Sequence, residues 1–590
     1  MKKLFLLLSL LISVKTVAQK NWTGAASTAW NNAANWDAGV PTAADAVNVD
    51  NCTTCPVLSA NVSVARLTVE GGGKLNIGAN TLTINGVFAM NGGQLTANNG
   101  TVNANRVGAF MNSNFVGKWK LQINLAGTNN YLGSMGGGNI FNDDFTLEAH
   151  TGTWTTFQVA TSASDTYKGK TTFKNLGEGW LMIASNSSSN TVFENDIEFI
   201  NANANEGKIQ IGAYGGKIQC DKKARFADNS DSFYSYIYVA EALFNDEVAI
   251  ETQNAAVTMG MQGASTFKKK LSISNSGGAY ITLGSANGGV IFEETADLVF
   301  PIPMKKGQLL LQQFDFRNEN GTAPTLNLTL SPSETDIYRP NTLIRLGFWG
   351  TFNRVLNVEA DYIQYNLVTF KKNTTLKRTG ITSATPQGFI GWGLCPGNSV
   401  FEGNVTFDNY YGDDWILGAY VRDVFKQNAT FLQGNHPFGV LRPSYSDNTI
   451  YEGNLQISMP NGGSNGIVWG ENGGTSTLAA GKTLSAGSFG NGWMGLANFT
   501  QLGTATAHTL DFGGLALGLD NCQFNSPLTL SAARLTLSNS TFFDSKFTKT
   551  SNGIDNSLGL NVFKKKVNFK NNSSTGEMRF INQNSSVVNP

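Results

Sequence analysis

Three pairs of adjacent acidic residues are the parts of this sequence that could supply acid–base chemistry: Asp143-Asp144, Glu293-Glu294 and Asp413-Asp414. Neighbouring side chains on a strand point to opposite faces, so adjacency alone does not bring two carboxylates together. We therefore interpret these pairs as solvated turn charges. A site assembled from one acid on each of several repeats stays open as an alternative.

Neither the histidines nor the glycine-rich loops form a known catalytic motif. The three histidines, His150, His436 and His508, form no HxH or HExxH arrangement. A zinc centre or a Ser-His-Asp triad is therefore not expected. The sequence also lacks a nucleophile elbow, a phosphate-binding loop and a dinucleotide fingerprint. We predict no catalytic residue, no metal ligand and no cofactor.

The five cysteines include one closely spaced pair, Cys52 and Cys55. A zinc site would need two further ligands, and no second CxxC follows. We favour a local loop disulfide between Cys52 and Cys55 in an oxidising compartment, with free thiols as the alternative.

Two aromatic clusters could stack against sugar rings. The first contains Tyr410, Tyr411, Asp413 and Asp414, which are the binding residues that we predict, and the second spans residues 233–238. Tyr410 and Tyr411 depart from the repeat described below, which makes them the better ligand candidates.

Residues 1–18 have the pattern of a secretory signal peptide. Lys2 and Lys3 precede an apolar stretch, and Thr16 and Ala18 are small residues at the expected cleavage positions. We predict cleavage before Gln19 and a secreted or outer-surface location. No later stretch has the apolar length of a membrane-spanning helix.

Composition excludes several functional classes. Lys+Arg and Asp+Glu are both 42, the formal net charge is zero, and charged residues make up only 14% of the chain. A neutral chain without a basic stripe is not expected to bind nucleic acid. Its 37 phenylalanines and 11 tryptophans provide enough apolar surface for a folded core.

A repeat dominates the sequence after the first hundred residues. Each unit has an aromatic residue, three mostly polar residues, and an apolar-x-apolar pair. The unit recurs every 23 to 27 residues where copies are consecutive. The slot is occupied by Phe141, Tyr167, Phe193, Cys220, Phe244, Phe267, Phe370, Phe401, Phe425, Tyr451 and Phe563.

Short period-2 segments separated by Gly and Asn indicate strands rather than helices. Units of about 25 residues without a helix predict an all-β fold, a right-handed parallel β-helix of roughly 20 coils. Equivalent residues of successive coils then stack. We expect Phe193, Phe244 and Phe401 to be buried in one internal stack, and Cys220 to be a small buried residue there.

Other features follow from the repeat. Trp154, Trp180 and Trp415 share one predicted position, which makes them structural rather than ligand-binding. Lysine triplets at 268–270 and 564–566 fall in turns and are interpreted as solvated charges. Residues 301–350 contain five prolines, which cannot donate to a strand ladder, so we expect an irregular, loop-rich region there.

Residues 21–49 contain Trp22, Trp30 and Trp36, then Gly39-Val40-Pro41 and alternating valines. This segment resembles the opening of secreted bacterial surface proteins, including autotransporter-like adhesins and exported Bacteroidetes proteins. The resemblance implies a cap over residues 19–60, followed by a parallel β-helix over 61–590. A sugar-stacking role for the three tryptophans is the alternative.

We predict an exported adhesin-like binding or structural protein that contacts glycan or matrix without catalysis. The alternative is a carbohydrate-active β-helix enzyme, a polysaccharide lyase or glycoside hydrolase. Such an enzyme would show a groove lined by three or more acids or bases from neighbouring coils. A purely structural spacer would show neither a groove nor an exposed aromatic cluster. The oligomeric state stays open.

Overall fold

The structure is a computed structural model. It describes residues 18–125, 132–153, 155–186, 189–203, 205–230, 232, 234–275, 280–301, 307–317, 325–330, 342–379, 395–410, 414–434, 439–445, 448–460, 463–504, 507–511 and 515–580. The chain divides into two compact units, Met1–Ile200 and Asn201–Pro590. The predicted signal peptide lies outside the described residues, except for Ala18.

The protein is nearly all β, with parallel strands that build about 20 turns of β-solenoid and only 1% helix. The predicted all-β parallel solenoid is therefore confirmed. Among the described residues, the two helical segments are the single 3₁₀ turns Ala33–Asn35 and Ala213–Gly215.

Three sets of strands build the first unit. One sheet contains Gln19–Asn21, Ala46–Asp50, Val62–Val64, Arg66–Glu70, Thr81–Asn91, Gly100–Met111, Trp119–Asn124, Phe145–His150, Thr171–Asn175 and Ile197–Asn201. The set that carries the aromatic slot contains Lys74–Gly78, Gln94–Ala97, Asn114–Val116, Ile140–Phe141, Thr166–Tyr167 and Asn190–Phe193. The third set contains Leu132–Ser134, Thr156–Val159 and Trp180–Ile183.

The second unit repeats this arrangement. Its first set contains Ala224–Asp228, Val248–Thr252, Leu271–Asn275, Leu298–Val299, Leu326–Thr329, Leu356–Ala360, Thr374–Arg378, Val405–Asn409, Ala429–Gln433, Leu455–Ser458, Leu484–Gly487, His508–Asp511, Leu528–Ala532, Ser545–Lys549 and Val567–Asn571. The aromatic set contains Lys217–Cys220, Ala242–Phe244, Ser265–Phe267, Val290–Phe292, Phe314–Phe316, Thr342–Phe352, Tyr362–Phe370, Val400–Phe401, Val424–Phe425, Thr449–Tyr451, Ser476–Leu478, Phe499–Gln501, Gln523–Phe524, Thr541–Phe542 and Val562–Phe563. The third set contains Lys208–Ile211, Tyr236–Val239, Ala256–Met259, Tyr280–Leu283, Gly307–Gln312, Trp415–Ile416, Val440–Arg442, Gly466–Trp469, Trp493–Ala497, Ala516–Asp520 and Arg534–Ser538.

The aromatic slot forms an internal stack in each unit, which Leu478 and Gln501 interrupt in the second unit. In the second unit, Phe244 pairs with Phe267 and Phe401 pairs with Phe425, and successive ring centroids from Phe244 to Tyr451 lie 4.3 to 5.6 Å apart. Phe193, Phe244 and Phe401 are fully buried, which confirms their predicted burial; Phe193 belongs to the stack of the first unit, and Phe244 and Phe401 belong to that of the second. Cys220 pairs with Phe244 and is also buried. We call this stack, in the second unit, the aromatic row.

Coil length varies more than the sequence repeat indicates. A coil takes 26 residues where Phe145 pairs with Thr171. It takes 31 where Thr374 pairs with Val405, and only 17 where Leu528 pairs with Ser545. Strand register is kept because extra residues are accommodated between strands, where no ladder hydrogen bond is lost.

Three buried tryptophans pack against one another at the start of the first unit. The indole rings of Trp22 and Trp30 lie 4.9 and 4.8 Å from Trp36 in edge-to-face contacts, and all three side chains are buried. The indole N–H of Trp22 donates to the Thr54 carbonyl at 2.6 Å. Such rings are not available for stacking on a sugar. Nearby, Cys52 and Cys55 form a disulfide, and Cys220, Cys395 and Cys522 are buried free thiols.

The region predicted to be irregular keeps parallel pairing on several described strands, but its register shifts between Gly347 and Gly350, and Leu298–Val299 and Leu326–Thr329 belong to different sheets. Its strands Gly307–Gln312 and Phe314–Phe316 both pair in parallel with Thr342–Phe352. Pro301 is described, whereas the prolines at 303, 324, 332 and 340 lie outside the described residues.

The prediction that Trp180 and Trp415 share one position is wrong. Trp180 pairs with Thr156 and faces outward, half-buried, whereas Trp415 pairs with Leu441 and is fully buried. The offset from the aromatic slot explains this error: Trp180 follows Tyr167 by 13 residues and Trp415 follows Phe401 by 14, and a difference of one residue turns a side chain to the other face. Trp154 lies outside the described residues.

Candidate functional site

The predicted binding cluster at 410–414 is drawn into local contacts. Tyr410 is partly exposed, and the ammonium of Lys377 lies 5.0 Å from its ring centroid. The Asp414 carboxylate pairs with the Arg442 guanidinium at 2.5 Å and accepts the Val440 N–H at 2.9 Å. Tyr411 and Asp413 lie outside the described residues. The described members therefore contact different partners and are not shown to form one site.

A stronger aromatic surface lies on the third strand set of the second unit, between residues 236 and 282. Tyr236 and Tyr238 alternate with the fully buried Ile237, so both phenol rings point outward. Their ring centroids lie 5.3 Å apart and the rings are stacked. Tyr280 is 50% exposed, and the strand register places it in the same row as Tyr236, with Ala256 between them.

Threonine hydroxyls complete this surface, which we call the tyrosine face: Tyr236, Tyr238, Tyr280, Thr258 and Thr282. Thr258 pairs with Tyr238 on one side and Thr282 on the other. Partial burial, and then the neighbouring Tyr236, raise the pKa of Tyr238, which keeps its phenol protonated and able to donate a hydrogen bond. The sequence signal was present in the alternating tyrosines of 234–238, but only register brings Tyr280 beside them. Phe233 lies outside the described residues.

A second candidate is a polar groove in the same unit. It has a volume of about 520 Å³ and is lined by Glu293, Glu294, Asp315, Arg317, Thr351, Asn353 and Lys371. These residues lie in, or directly after, four successive strands of the aromatic set. The acid pair Glu293-Glu294, interpreted from sequence as solvated turn charge, therefore contributes to a groove.

Ion pairs hold one wall of this groove. The Arg317 guanidinium contacts Glu293 at 3.1 Å and Asp315 at 3.0 Å. The hydrogen bond that Arg317 donates to the Asp315 carboxylate is the main cause that raises the pKa of Arg317. Asn353 forms the floor, because only 4% of it is exposed. Its side-chain oxygen is buried and accepts no hydrogen bond.

An exposed tryptophan precedes two of the groove residues in sequence. Trp349 is 68% exposed and stands two residues before Thr351, where the strand register shifts between Gly347 and Gly350. Its φ of 69° is unusual for a bulky residue. Strained backbone of this kind is concentrated at functional positions.

The residue that follows each aromatic-slot residue is charged in most coils, and it is in register with its counterpart on the next strand. The backbone N–H groups of Arg317, Lys371 and Lys426 donate to the carbonyls of Phe292, Phe352 and Phe401, each on the preceding strand of the aromatic set. We call this outer set the charge row: Asp221, Asn245, Lys268, Glu293, Arg317, Asn353, Lys371, Glu402, Lys426 and Glu452. Opposite charges meet within it, since Lys426 donates to Glu402 at 2.9 Å.

Other predicted charges also pair between coils. Lys269 contacts Asp246 at 2.8 Å and Lys270 contacts Glu247 at 3.3 Å, so this lysine triplet is matched by acids of the preceding coil. Asp144 accepts the Lys170 N–H at 3.0 Å, which ties adjacent turns.

The described histidines serve no joint site. His508 is buried, its Nδ1 accepts the Leu484 N–H at 2.9 Å, and burial lowers its pKa. His150 is partly exposed on another strand, in the first unit. His436 lies outside the described residues.

Within the described part of the chain, no group of three or more His, Cys, Asp or Glu side chains is arranged to hold a metal ion. Across the same residues, none of the helices combines the length and apolar character that crossing a membrane requires.

No protein-family model, curated protein or solved structure matches this chain. The parallel β-solenoid is compatible with β-helix surface proteins.

Proposed function

We propose that this is an exported β-solenoid protein that binds glycans on the tyrosine face without turning them over. The observation that carries the proposal is the outward row of Tyr236 and Tyr280, with Tyr238 beside it. The predicted signal peptide and the resemblance to secreted bacterial surface proteins support export.

The face suits a saccharide chain for geometric reasons. Tyr236 and Tyr280 lie two strands apart, which corresponds to roughly 10 Å at the usual strand spacing. Ala256 between them leaves the surface open. Tyrosines offer a rigid ring and a wet hydroxyl at low entropic cost, so they can stack on a sugar ring and bond its hydroxyls. Thr258 and Thr282 add further donors and acceptors.

Glycan microarrays followed by calorimetry on the purified secreted chain would test the proposal. We expect Tyr236→Ala and Tyr280→Ala each to weaken binding of the selected glycan by about tenfold, the loss of one well-packed aromatic contact. Tyr420→Ala is the matched control, because Tyr420 is 69% exposed but lies outside the face. Equal binding by Tyr280→Ala and the parent protein would refute the proposal.

A carbohydrate-active enzyme is the second candidate, and the groove favours it. Five ionisable residues from neighbouring coils converge there, which meets the requirement stated for a lyase or hydrolase. Against it, Glu293 and Asp315 both contact Arg317 and are therefore engaged as ion-pair partners. Release of reducing or unsaturated ends from polysaccharides, abolished by Glu294→Gln, would establish catalysis.

A further inference from the structure

The charge row contains one irregularity, and it coincides with the groove. Between Lys268 and Glu452 the signs alternate from coil to coil except at Asn353. Asn353 stands between Arg317 and Lys371, so a neutral residue separates two cations where the pattern requires an anion. Asn245 is also neutral, but it stands between Asp221 and Lys268 and donates to the Asp221 carboxylate at 2.7 Å.

The two cations are placed within reach of one ligand. Arg317 and Lys371 are each one strand from Asn353 through consecutive pairings of the aromatic set. Neighbouring strands lie about 4.8 Å apart, which puts their Cα atoms roughly 10 Å apart on either side of the groove floor. Both side chains line the groove and are exposed, with 45% of the Arg317 side chain accessible. Long cationic side chains can converge on a group held between them.

The Asn353 side-chain oxygen at the floor of the groove needs a hydrogen-bond donor, whereas the two cations need an anion. The buried Asn353 oxygen accepts no hydrogen bond, and an unsatisfied buried acceptor is costly. A ligand hydroxyl above Asn353 would satisfy this oxygen. The site therefore calls for a ligand with both a hydroxyl donor and an anionic acceptor.

We propose that the groove binds an acidic saccharide, with a sugar carboxylate between Arg317 and Lys371 and a neighbouring hydroxyl on Asn353. The carboxylate lies at the position between Arg317 and Lys371 where the alternation would place an acid, as a further partner of Arg317 beside Glu293 and Asp315. Glu293 and Asp315 hold the Arg317 guanidinium in place beside it. This inference rests on the proposed glycan binding and names the class of glycan at a separate site.

Calorimetry with oligogalacturonate, its methyl ester and a sulfated galactan oligosaccharide would test the inference on the full secreted chain. We expect oligogalacturonate to bind at least about tenfold more tightly than the ester, since one charge-assisted bond to each cation is lost on esterification. Its affinity should fall with added salt, because the cations are exposed. Tighter binding of the sulfated probe would contradict the carboxylate assignment.

Two substitutions sharpen the test. Asn353→Asp supplies the missing acid from the protein itself, so we expect about tenfold weaker oligogalacturonate binding. Asn245→Asp is the matched control, since it lies in the same row outside the groove. Lys371→Gln should also weaken binding, whereas Lys426→Gln should not. Unchanged circular dichroism and melting would show that the variants fold.

The two proposals fail in different ways. Loss of neutral-glycan binding in Tyr280→Ala, with oligogalacturonate affinity retained, would support separate sites. If no neutral glycan binds but oligogalacturonate still depends on Lys371, the tyrosine-face proposal fails and the groove stands. Equal affinity of Asn353→Asp and the parent protein for oligogalacturonate would overturn the groove assignment.

Discussion

The aromatic row and the charge row of the second unit are one residue apart in sequence, yet they follow opposite rules. Inside, like residues stack on like, as Phe370, Phe401 and Phe425 do at 4.7 and 4.9 Å. Outside, unlike charges alternate, as Lys371, Glu402 and Lys426 do. A parallel ladder brings equivalent residues together, which favours identical apolar rings but penalises identical charges. The difference shows that register, rather than burial alone, selects both rows.

The largest loss of stability is expected for a substitution in the buried aromatic row. Phe401 is fully buried between two rings, so Phe401→Ala should lower the free energy of unfolding by about 3–5 kcal/mol through lost packing and a cavity. Chemical denaturation followed by fluorescence measures this change. Phe563 occupies the same row but is only partly buried, so Phe563→Ala should cost clearly less. Equal costs for the two would contradict the importance of burial in the row.

Removing one partner of a buried ion pair should also lower the stability of the fold. Lys549 and Asp555 are both fully buried and pair at 2.7 Å. Lys549→Met would leave the Asp555 carboxylate without its cation, and we expect a loss of about 3 kcal/mol in unfolding free energy. The double variant with Asp555→Leu should recover part of that loss, since it removes the stranded charge. A single variant as stable as the parent protein would show that Asp555 finds another partner.

The next largest effect concerns pH. Burial raises the pKa of Asp423 from 3.8 to about 7, although the Ser399 N–H and the Tyr365 hydroxyl donate to its carboxyl oxygens. Between these values the folded state holds a proton that the unfolded state has lost. Stability contributed by this group therefore falls as pH rises from about 4 to about 7. Asp423→Asn imitates the protonated acid and should remove that part of the slope.

Denaturation midpoints at pH 5 and pH 8 measure this difference. Asp165 gives a matched test in the first unit, because burial also raises its pKa to about 7 and Tyr167 donates to it. We expect Asp165→Asn to flatten the same pH interval. A slope that is unchanged in both variants would show that these carboxyls ionise as they do in the unfolded chain.

The smallest effect is expected on the outside. Glu402→Lys would place a cation between Lys371 and Lys426, against the alternation. Exposed charges are screened, so the denaturation midpoint should move by no more than about a fifth of the Phe401→Ala change. Adding Lys426→Glu restores an opposite pair and should recover the loss at low salt. An effect independent of salt would argue against an electrostatic origin.

Much of the fold could be predicted from the sequence because the aromatic slot is a local signal. Phe193, Phe244 and Phe401 were placed in one stack from spacing alone, and all three are buried. The third strand set was less predictable. Trp180 and Trp415 were assigned to one position, but they follow the aromatic slot by 13 and 14 residues, and one residue reverses the face of a strand.

The candidate sites also contain one part that the sequence predicted and one part that depends on the pairing of coils. The alternating tyrosines at 236 and 238 were visible in the sequence, whereas their alignment with Tyr280 depends on coil pairing. The groove could not be predicted, because Glu293 and Lys371 are joined through coils whose lengths no local pattern fixes. Export, the signal peptide and glycan binding stay predictions.

By itself, the sequence determined the all-β repeat, the buried aromatic slot and the near absence of helix. These depend on side chains within a few residues of one another, through period-2 patterning and turn residues. Only the tertiary structure decided that Asn353 lies between Arg317 and Lys371, and that Tyr280 lies in the row of Tyr236. Such neighbours are set by hydrogen-bond register between successive coils, and register is a property of the folded ladder.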